Sequence, residues 1–496
     1  MNKFKLYIIL IPISLYLVLL PVLQFDANAV IDLYDNKRLL QLVIVGWILG
    51  LSCFYLINKN ILYPRILDSL YFKIVTFFIV GIGTISTITA LYPIWSYLEL
   101  AHIIGIVLCT ICISTIIQDD VLLVRKILNV TVIAFAGFYL LRFSLGYILQ
   151  IKGGFPLWPG ESYNVGLIGF SHVRFFNQLQ TWTLPILIMF IFQVKHTSLK
   201  TFLTIFVGLF WMLVFASGAR GTFLSIIISF FMLIYFFRSD IREFVIISLN
   251  SILVGLVSYW FLFKFLSKTT FREITREGTS GRFDVWLDLI PKILESPFFG
   301  HGPMHYGVIE YQNTWGHPHN WFLQYSYEWG IIVAILIGLF VCYALYRYIG
   351  KTNSAFNNER ISLKVYLFRV GLFWSLLSAF LHSFLSGVHV MPLSQVWFMF
   401  VGGVALSFHY KKDGSIQDIK KIKRINYFLI GMIMISVIGY ANWFIKHGID
   451  TDSYSQKNKG EVFSKKMYPR FWQQGKFGEK EKEIELNVIN NVNSTP

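Results

Sequence analysis

The sequence carries little charge for its size. Only 14% of its 496 residues are Asp, Glu, Lys or Arg, whereas 55% are hydrophobic, and the mean hydropathy is +0.59. A soluble protein of this length needs far more polar surface than such a composition supplies. The composition therefore excludes a soluble globule and indicates a membrane protein with many spans.

Acidic residues are the scarcer of the charged types. The chain has 27 Asp and Glu against 43 Lys and Arg, which gives a formal net charge of +16. The basic residues are scattered in short clusters between apolar runs rather than gathered on one face, so we expect no nucleic-acid partner. We expect them to fix the orientation of the spans instead, because cytoplasmic loops are enriched in Lys and Arg.

Cysteine is rare as well. The four cysteines all fall inside predicted spans, at Cys53, Cys109, Cys112 and Cys342. A thiol in that setting behaves as a small hydrophobic group. We therefore expect neither a disulfide framework nor a CxxC metal site.

Apolar runs long enough to cross a bilayer recur along the chain. We predict about thirteen spans from their length and composition. They cover residues 6–20, 39–57, 74–91, 94–117, 127–149, 181–194, 202–215, 222–237, 244–266, 322–346, 365–385, 395–408 and 427–443. The predicted fold class is thus all-α: a polytopic membrane bundle of about 12–13 helices over residues 1–443, followed by a polar C-terminal tail at 444–496.

The loops between the spans predict their orientation. With the N-terminus in the cytoplasm, every loop on that side is basic, as the positive-inside bias requires, and Lys37 and Arg38 are a small exception outside. The long loops 150–180 and 267–321 and the short junction 217–221 then lie outside. Three polar elements are therefore predicted to share one side of the membrane.

Each of these outer elements contains an arginine. Arg220 lies in the junction Ser-Gly-Ala-Arg-Gly, and Arg174 lies just before a span. Arg282 begins a segment, residues 282–295, whose apolar and charged faces predict an amphipathic helix on the membrane surface. Arginine binds phosphate oxygens with two parallel donors, so arginines that converge there would suit a lipid phosphate or diphosphate. For Arg220, a side chain that merely reaches to the interface is the alternative.

Histidines and aromatic residues end the large outer loop. His317 and His319 are two residues apart, but no carboxylate or cysteine at ligand spacing completes a metal site. A histidine at the membrane boundary can instead accept a proton from a sugar hydroxyl near neutral pH. Nearby rings would offer sugars a stacking surface or form an interfacial belt; they belong to Trp315, Trp321, Tyr325, Tyr327 and Trp329.

Together these features resemble the O-antigen ligase/polymerase superfamily of bacterial inner-membrane glycosyltransferases. His319-Asn320 is followed after nine residues by Gly330, as in the ligase motif, although Val333 stands where that motif has a second glycine. Other elements resemble the family in the same order along the chain. They are Ser217 to Gly221, Arg282 through Trp286 to Gly302, and His382-Ser383 followed by Pro392.

The resemblance implies a fold, a donor and roles for named residues. It implies a GT-C-like membrane glycosyltransferase whose donor is a glycan on undecaprenyl diphosphate. Arg220 and Arg282, joined by Arg174, would hold the diphosphate. His319 would act as general base on an acceptor hydroxyl that attacks the anomeric carbon with inversion. Supporting roles are expected for His317, Asn320, His301 and His382. No metal, nucleotide sugar or other cofactor is implied.

The acceptor remains open among three classes. Lipid A-core would make the protein an O-antigen ligase, the leading interpretation, whereas another lipid-linked unit would make it a polymerase and a protein Ser or Thr an O-oligosaccharyltransferase. A transporter of lipid-linked glycans is the alternative from another class; it predicts inverted repeats and spans broken near the midplane. The expected location is the bacterial inner membrane, multi-pass, with the active site facing the periplasm.

Overall fold

The structure is a computed structural model in which the chain is helical. It describes residues 4–19, 21–22, 33–58, 70–91, 93–117, 120–158, 166–167, 169–170, 172–237, 242–267, 275, 278, 281–308 and 316–408. These residues contain no β-strand. The predicted span 427–443 and the predicted tail 444–496 lie outside them.

Fourteen α-helices follow one another in the described ranges. They are α1 (Phe4–Val18), α2 (Leu33–Asn58), α3 (Leu70–Ile88), α4 (Pro93–Ile117), α5 (Val121–Gly153), α6 (Val173–Ile191), α7 (Thr197–Ala216), α8 (Arg220–Phe236), α9 (Arg242–Tyr259), α10 (Arg282–Glu295), α11 (Trp321–Trp329), α12 (Ile331–Asn357), α13 (Leu363–His382) and α14 (Pro392–Ser407). A π-helix (Trp260–Leu266) continues α9, and a 3-10 helix (His305–Val308) lies between α10 and α11.

Many of these helices have the length and hydrophobicity of membrane-spanning helices. Six are long and apolar enough to cross it, namely α4, α5, α7, α9 with its π-helical end, α12 and α13, and four shorter ones are also apolar. The apolar stretch of α4 is 78% buried inside the protein, whereas those of α9 and α12 are only 17% buried. The chain is therefore a multi-pass membrane protein in which α9 and α12 are left to face lipid.

One predicted span, the tenth, is wrong as a single helix. It is split into α11 and α12 at Gly330, where the backbone has a φ of 92°. A Cβ at this glycine would lie 2.2 Å from the carbonyl oxygen of Phe298, so only glycine fits. Val333 is fully buried against Leu100 and Trp329. The position expected to be a second glycine is thus part of the apolar packing.

Helix α13 lies at the centre of the bundle. It packs on α6 and α8 and also contacts α12 and α14, while α14 packs on α4. The largest apolar core joins side chains from most of these helices, including Trp211, Trp374 and Trp397. Because α13 ends where α6 and α8 begin, this packing brings three helix ends together.

Lys37 and Arg38, the two cations predicted on the outer side of the membrane, are buried inside the bundle. They are 5% and 1% exposed, respectively, on the inner face of α2. Lys37 donates a hydrogen bond to the carbonyl oxygen of Gly169. Arg38 binds Gln41 at 2.6 Å, His102 at 3.0 Å, Gln395 at 2.7 Å and the carbonyl of Val390 at 2.6 Å. Both side chains therefore belong to the internal packing.

Candidate active site

A pocket lies where α6 and α8 begin and α7 and α13 end. Its cavity volume is about 50 Å³, and the pocket is open to the outside on one side. Arg174, Arg220 and Arg282 all line it, together with His382 and Ser386. The structure thus brings the three outer arginines of the sequence to one place.

Each of these arginines sits in the first turn of a helix. Arg174 lies in α6, Arg220 begins α8 after a tight turn, and Arg282 begins α10. The residues before two of these helices fix where the helix begins. His172 caps α6 by accepting the N–H of Arg174 at 3.0 Å, and Gly281, before α10, has a φ of 75°. The positive ends of three helix dipoles therefore add to the three guanidinium charges.

The electrostatics of the pocket favour an anion. The described residues that line it include no Asp or Glu. Arg220 also donates from Nη2 to the carbonyl oxygen of Gly278 at 2.7 Å, which links α8 to the chain just before α10. A site with three fixed cations and no lining carboxylate can hold a multiply charged phosphate group.

A layer of neutral polar side chains supports the walls. Asn177 donates to Ser217 Oγ at 3.0 Å, and Thr222 donates to the Asn177 carbonyl at 3.0 Å. Gln178 donates to Ser386 Oγ at 2.9 Å. These residues were missed by sequence reasoning. For α6 the signal existed, because polar residues recur three and four positions apart after Arg174; Ser386 has no such signal.

His319 lies beside the pocket, in the turn before α11. Its side chain is buried, and its backbone has a φ of 57°, a left-handed conformation that costs a non-glycine residue about 1–3 kcal/mol. The N–H of His319 donates to His317 Nδ1 at 3.1 Å, and the two rings lie 4.2 Å apart, edge to face. His317 therefore positions His319.

Burial and charge both act on the His319 ring. Burial lowers the pKa of His319 well below its usual value, and neighbouring groups lower it further, in the order His317, Arg282, Arg174 and His172. At neutral pH the imidazole is therefore unprotonated, and it can accept a proton. The N–H of Trp321 also donates to the carbonyl oxygen of Ser383 at 3.0 Å, and Ser383 follows the lining residue His382, so the histidine turn lies near the arginine pocket.

Other contacts hold the turn that carries His319. Asn320 caps α11, since its Oδ1 accepts the N–H groups of Phe322 at 3.0 Å and Leu323 at 3.2 Å. Trp286 of α10 donates to the carbonyl oxygen of Pro318 at 2.8 Å. Asn320 is thus a structural cap, and the surface helix is tied to the histidine turn.

Some predicted residues lie outside the pocket lining. His301 binds the carbonyl of Lys292 at 2.8 Å and stacks on Tyr327 at 4.5 Å. Trp321, Tyr327 and Trp329 are at most 4% exposed, so the prediction that their faces are open to a sugar is wrong. Trp315 lies outside the described residues. Within the described ranges, no group of three or more metal-ligating side chains is found.

Fold and site together define a class: a multi-pass membrane protein with an arginine-lined pocket at one end of its bundle and a buried histidine, His319, near it. Residues 205–338 match the family model described as O-Antigen ligase. This match, which covers about a quarter of the chain, supports the predicted resemblance to the O-antigen ligase/polymerase superfamily. The matched segment contains Arg220, Arg282 and His319, whereas Arg174 and His382 lie outside it. No curated protein and no solved structure matches the chain.

Proposed function

We propose that the protein is a glycosyltransferase that moves a glycan from undecaprenyl diphosphate to an acceptor hydroxyl. The observation that carries the proposal is one pocket lined by three first-turn arginines, near the buried His319, whose pKa is lowered by burial and by nearby basic groups. A diphosphate matches the charge of the pocket, and a neutral imidazole matches the need for a base.

In the proposed reaction the three arginines hold the donor's diphosphate. The acceptor oxygen attacks the anomeric carbon from the face opposite the diphosphate, and its proton passes to His319 Nδ1 or Nε2. The bond between the anomeric carbon and the diphosphate oxygen breaks, and its electron pair leaves on that oxygen. Arg174, Arg220 and Arg282 stabilise the charge that develops there. The result is inversion at the anomeric carbon without a metal ion.

We further propose that the pocket faces the periplasm, with the chain in the bacterial inner membrane. Basic loops at the opposite end of the bundle support this orientation. An O-antigen ligase, with lipid A-core as acceptor, stays the leading assignment, and the matching family model is compatible with it and with a polymerase. A polymerase and a protein O-oligosaccharyltransferase use the same donor chemistry and differ in the acceptor.

Deletion of the gene separates these acceptors. If lipopolysaccharide loses its polymer while polymer stays on the lipid carrier, the protein is a ligase. Lipopolysaccharide with a single repeat unit indicates a polymerase, and lost glycoproteins with unchanged lipopolysaccharide indicate the protein-modifying enzyme. A His319→Ala copy that restores the wild-type glycans would refute the assignment of the base.

A transporter of lipid-linked glycans is the alternative from another class. The position of the pocket at the ends of α6, α7, α8 and α13, rather than at mid-span, favours the enzyme. Purified protein with a lipid-diphosphate glycan and an acceptor in detergent decides between them. Glycan transfer in detergent, where no membrane separates two compartments, supports the enzyme. No glycan transfer in detergent, together with flipping of the donor across vesicle membranes, supports the transporter.

A further inference from the structure

His382 is the pocket histidine to which the proposed reaction gives no task. It is the last residue of α13 and is only 4% exposed, yet it lines the same pocket as the three arginines. Its Nδ1 lies 2.8 Å from the hydroxyl oxygen of Thr181 on α6. One edge of the ring is therefore fixed to the neighbouring helix, which leaves the other edge to meet a ligand.

The edge that carries Nε2 points toward Gly221, another lining residue. A Cβ at Gly221 would lie 2.9 Å from His382 Nε2, so any side chain there would cover this nitrogen. Gly221 directly follows Arg220 in the first turn of α8. The glycine thus keeps the Nε2 edge uncovered next to an arginine of the anion pocket.

The hydroxyl of Thr181 allows the ring to carry its proton on Nε2. A hydroxyl can donate as well as accept, so Thr181 can donate to Nδ1. The other acceptors near this hydroxyl are farther away, with the Asn177 carbonyl at 3.3 Å and Thr222 Oγ1 at 3.4 Å, against 2.8 Å to Nδ1. An anion in the pocket favours this tautomer, because it attracts an N–H and repels a nitrogen lone pair.

We propose that His382 Nε2–H donates a hydrogen bond to an oxygen of the leaving diphosphate, a role that rests on the proposed function. As the bond to the anomeric carbon breaks, the electron pair moves onto the diphosphate and the hydrogen bond strengthens. The proton stays on Nε2, while the acceptor's proton goes to His319. His382 is then a catalytic residue outside the segment that matches the family model.

The test compares three variants of the purified full chain. His382→Ala removes the donor, whereas His382→Gln keeps an N–H near the position of Nε2. His196→Ala is the matched control, because His196 is exposed before α7 and its side chain makes no capping hydrogen bond. Thermal unfolding in detergent checks that each variant is folded.

We expect His382→Ala to lower kcat about 100-fold, with little change in KM for the donor. His382→Gln should keep activity within about tenfold of wild type, and His196→Ala should match wild type. Wild-type kcat in His382→Ala, or an equal loss in the Ala and Gln variants, would overturn the proposal.

Direct binding of inorganic diphosphate separates this proposal from the proposed function. We expect His382→Ala to weaken this binding about tenfold, because a hydrogen bond to a charged group is lost. An unchanged Kd refutes the role of His382 even if the wild-type protein transfers glycans. Weakened binding in a protein without transferase activity supports the His382 contact and refutes the proposed function alone.

Discussion

Arg38 and the three pocket arginines are all buried or half-buried, but they have different surroundings. Arg38 lies inside the bundle, 1% exposed, and its donors meet neutral oxygens and a ring nitrogen within 2.6–3.2 Å. Arg174, Arg220 and Arg282 instead line a pocket that opens at the ends of four helices. The first arginine joins helices, whereas the other three surround space that a ligand can enter.

The difference shows what makes an arginine a candidate for binding. Arg38 and the pocket arginines all lie in a hydrophobic protein and contact polar partners. Burial and hydrogen bonds alone therefore do not distinguish a structural arginine from a binding one. The pocket is distinguished by its open volume, its several cations and, among the described residues, a lining without carboxylates. Substitutions should therefore damage catalysis in the pocket and stability around Arg38.

The largest effect is expected for His319, beside the pocket. We expect His319→Ala to lower kcat by about 100- to 10,000-fold, the usual contribution of a general base. Donor binding should remain, because the arginines that hold the diphosphate are unchanged. Turnover and donor binding of the purified variant test this. Unchanged turnover, or loss of both properties together, would show that His319 is not the base.

The two kinds of arginine can be compared by equivalent changes. We expect Arg282→Gln to lower kcat/KM for the donor about 100-fold or more with a nearly unchanged unfolding temperature. Arg38→Gln should lower the free energy of unfolding by about 3 kcal/mol, because several buried acceptors lose their donor. Activity assays and thermal unfolding of both variants measure this contrast. The proposed difference between the two kinds of arginine is refuted if Arg38→Gln keeps wild-type stability but loses activity. It is also refuted if Arg282→Gln is unfolded.

The charge of the pocket should also shape the pH dependence. Arg282 and Arg174 help to hold the pKa of His319 low in the free protein. A bound diphosphate offsets these charges, so the pKa of His319 should rise in the complex. Activity is lost as pH falls and His319 becomes protonated. The acid limb of kcat, which reports the complex, should therefore lie at higher pH than that of kcat/KM. Coincident limbs would indicate that the diphosphate does not bind near His319.

The helical class and most of the helices could be read from the sequence because the signals are long and local. Apolar runs predicted the membrane helices. The apolar and charged faces of residues 282–295 predicted α10, which the structure has at Arg282–Glu295. The break at Gly330 was missed, since a single glycine in an apolar run usually leaves a helix continuous. Its cause is a close approach of the chain at Phe298, which is distant in sequence.

The site was only partly predictable for the same physical reason. Arg174, Arg220 and Arg282 could be assigned to one side because orientation follows from loop charge. That they line one pocket depends on how α6, α8 and α10 pack. The buried position of Arg38 was missed because its partners Gln41, His102 and Gln395 come from three helices. Pairings between distant helices leave no local pattern.

A smaller loss of turnover is expected from a change at Gly387, which packs on His317 and so acts indirectly on the proposed base, His319. Gly387 lies between α13 and α14, and a Cβ there would lie 2.5 Å from both Cε1 and Nε2 of His317. Since His317 Nδ1 holds the N–H of His319, Gly387→Ala should displace the base without changing the arginines. We expect kcat to fall about tenfold, with donor binding unchanged.

Gly350→Ala is the control for this substitution, because a Cβ at Gly350 would meet nothing within 4 Å. Gly350 lies within α12, so this change should leave turnover as in the wild type. If Gly387→Ala weakens donor binding as strongly as turnover, the turn between α13 and α14 supports the arginine pocket rather than the base. If neither property changes, the loop yields to the added methyl group, and the packing of Gly387 on His317 does not position His319.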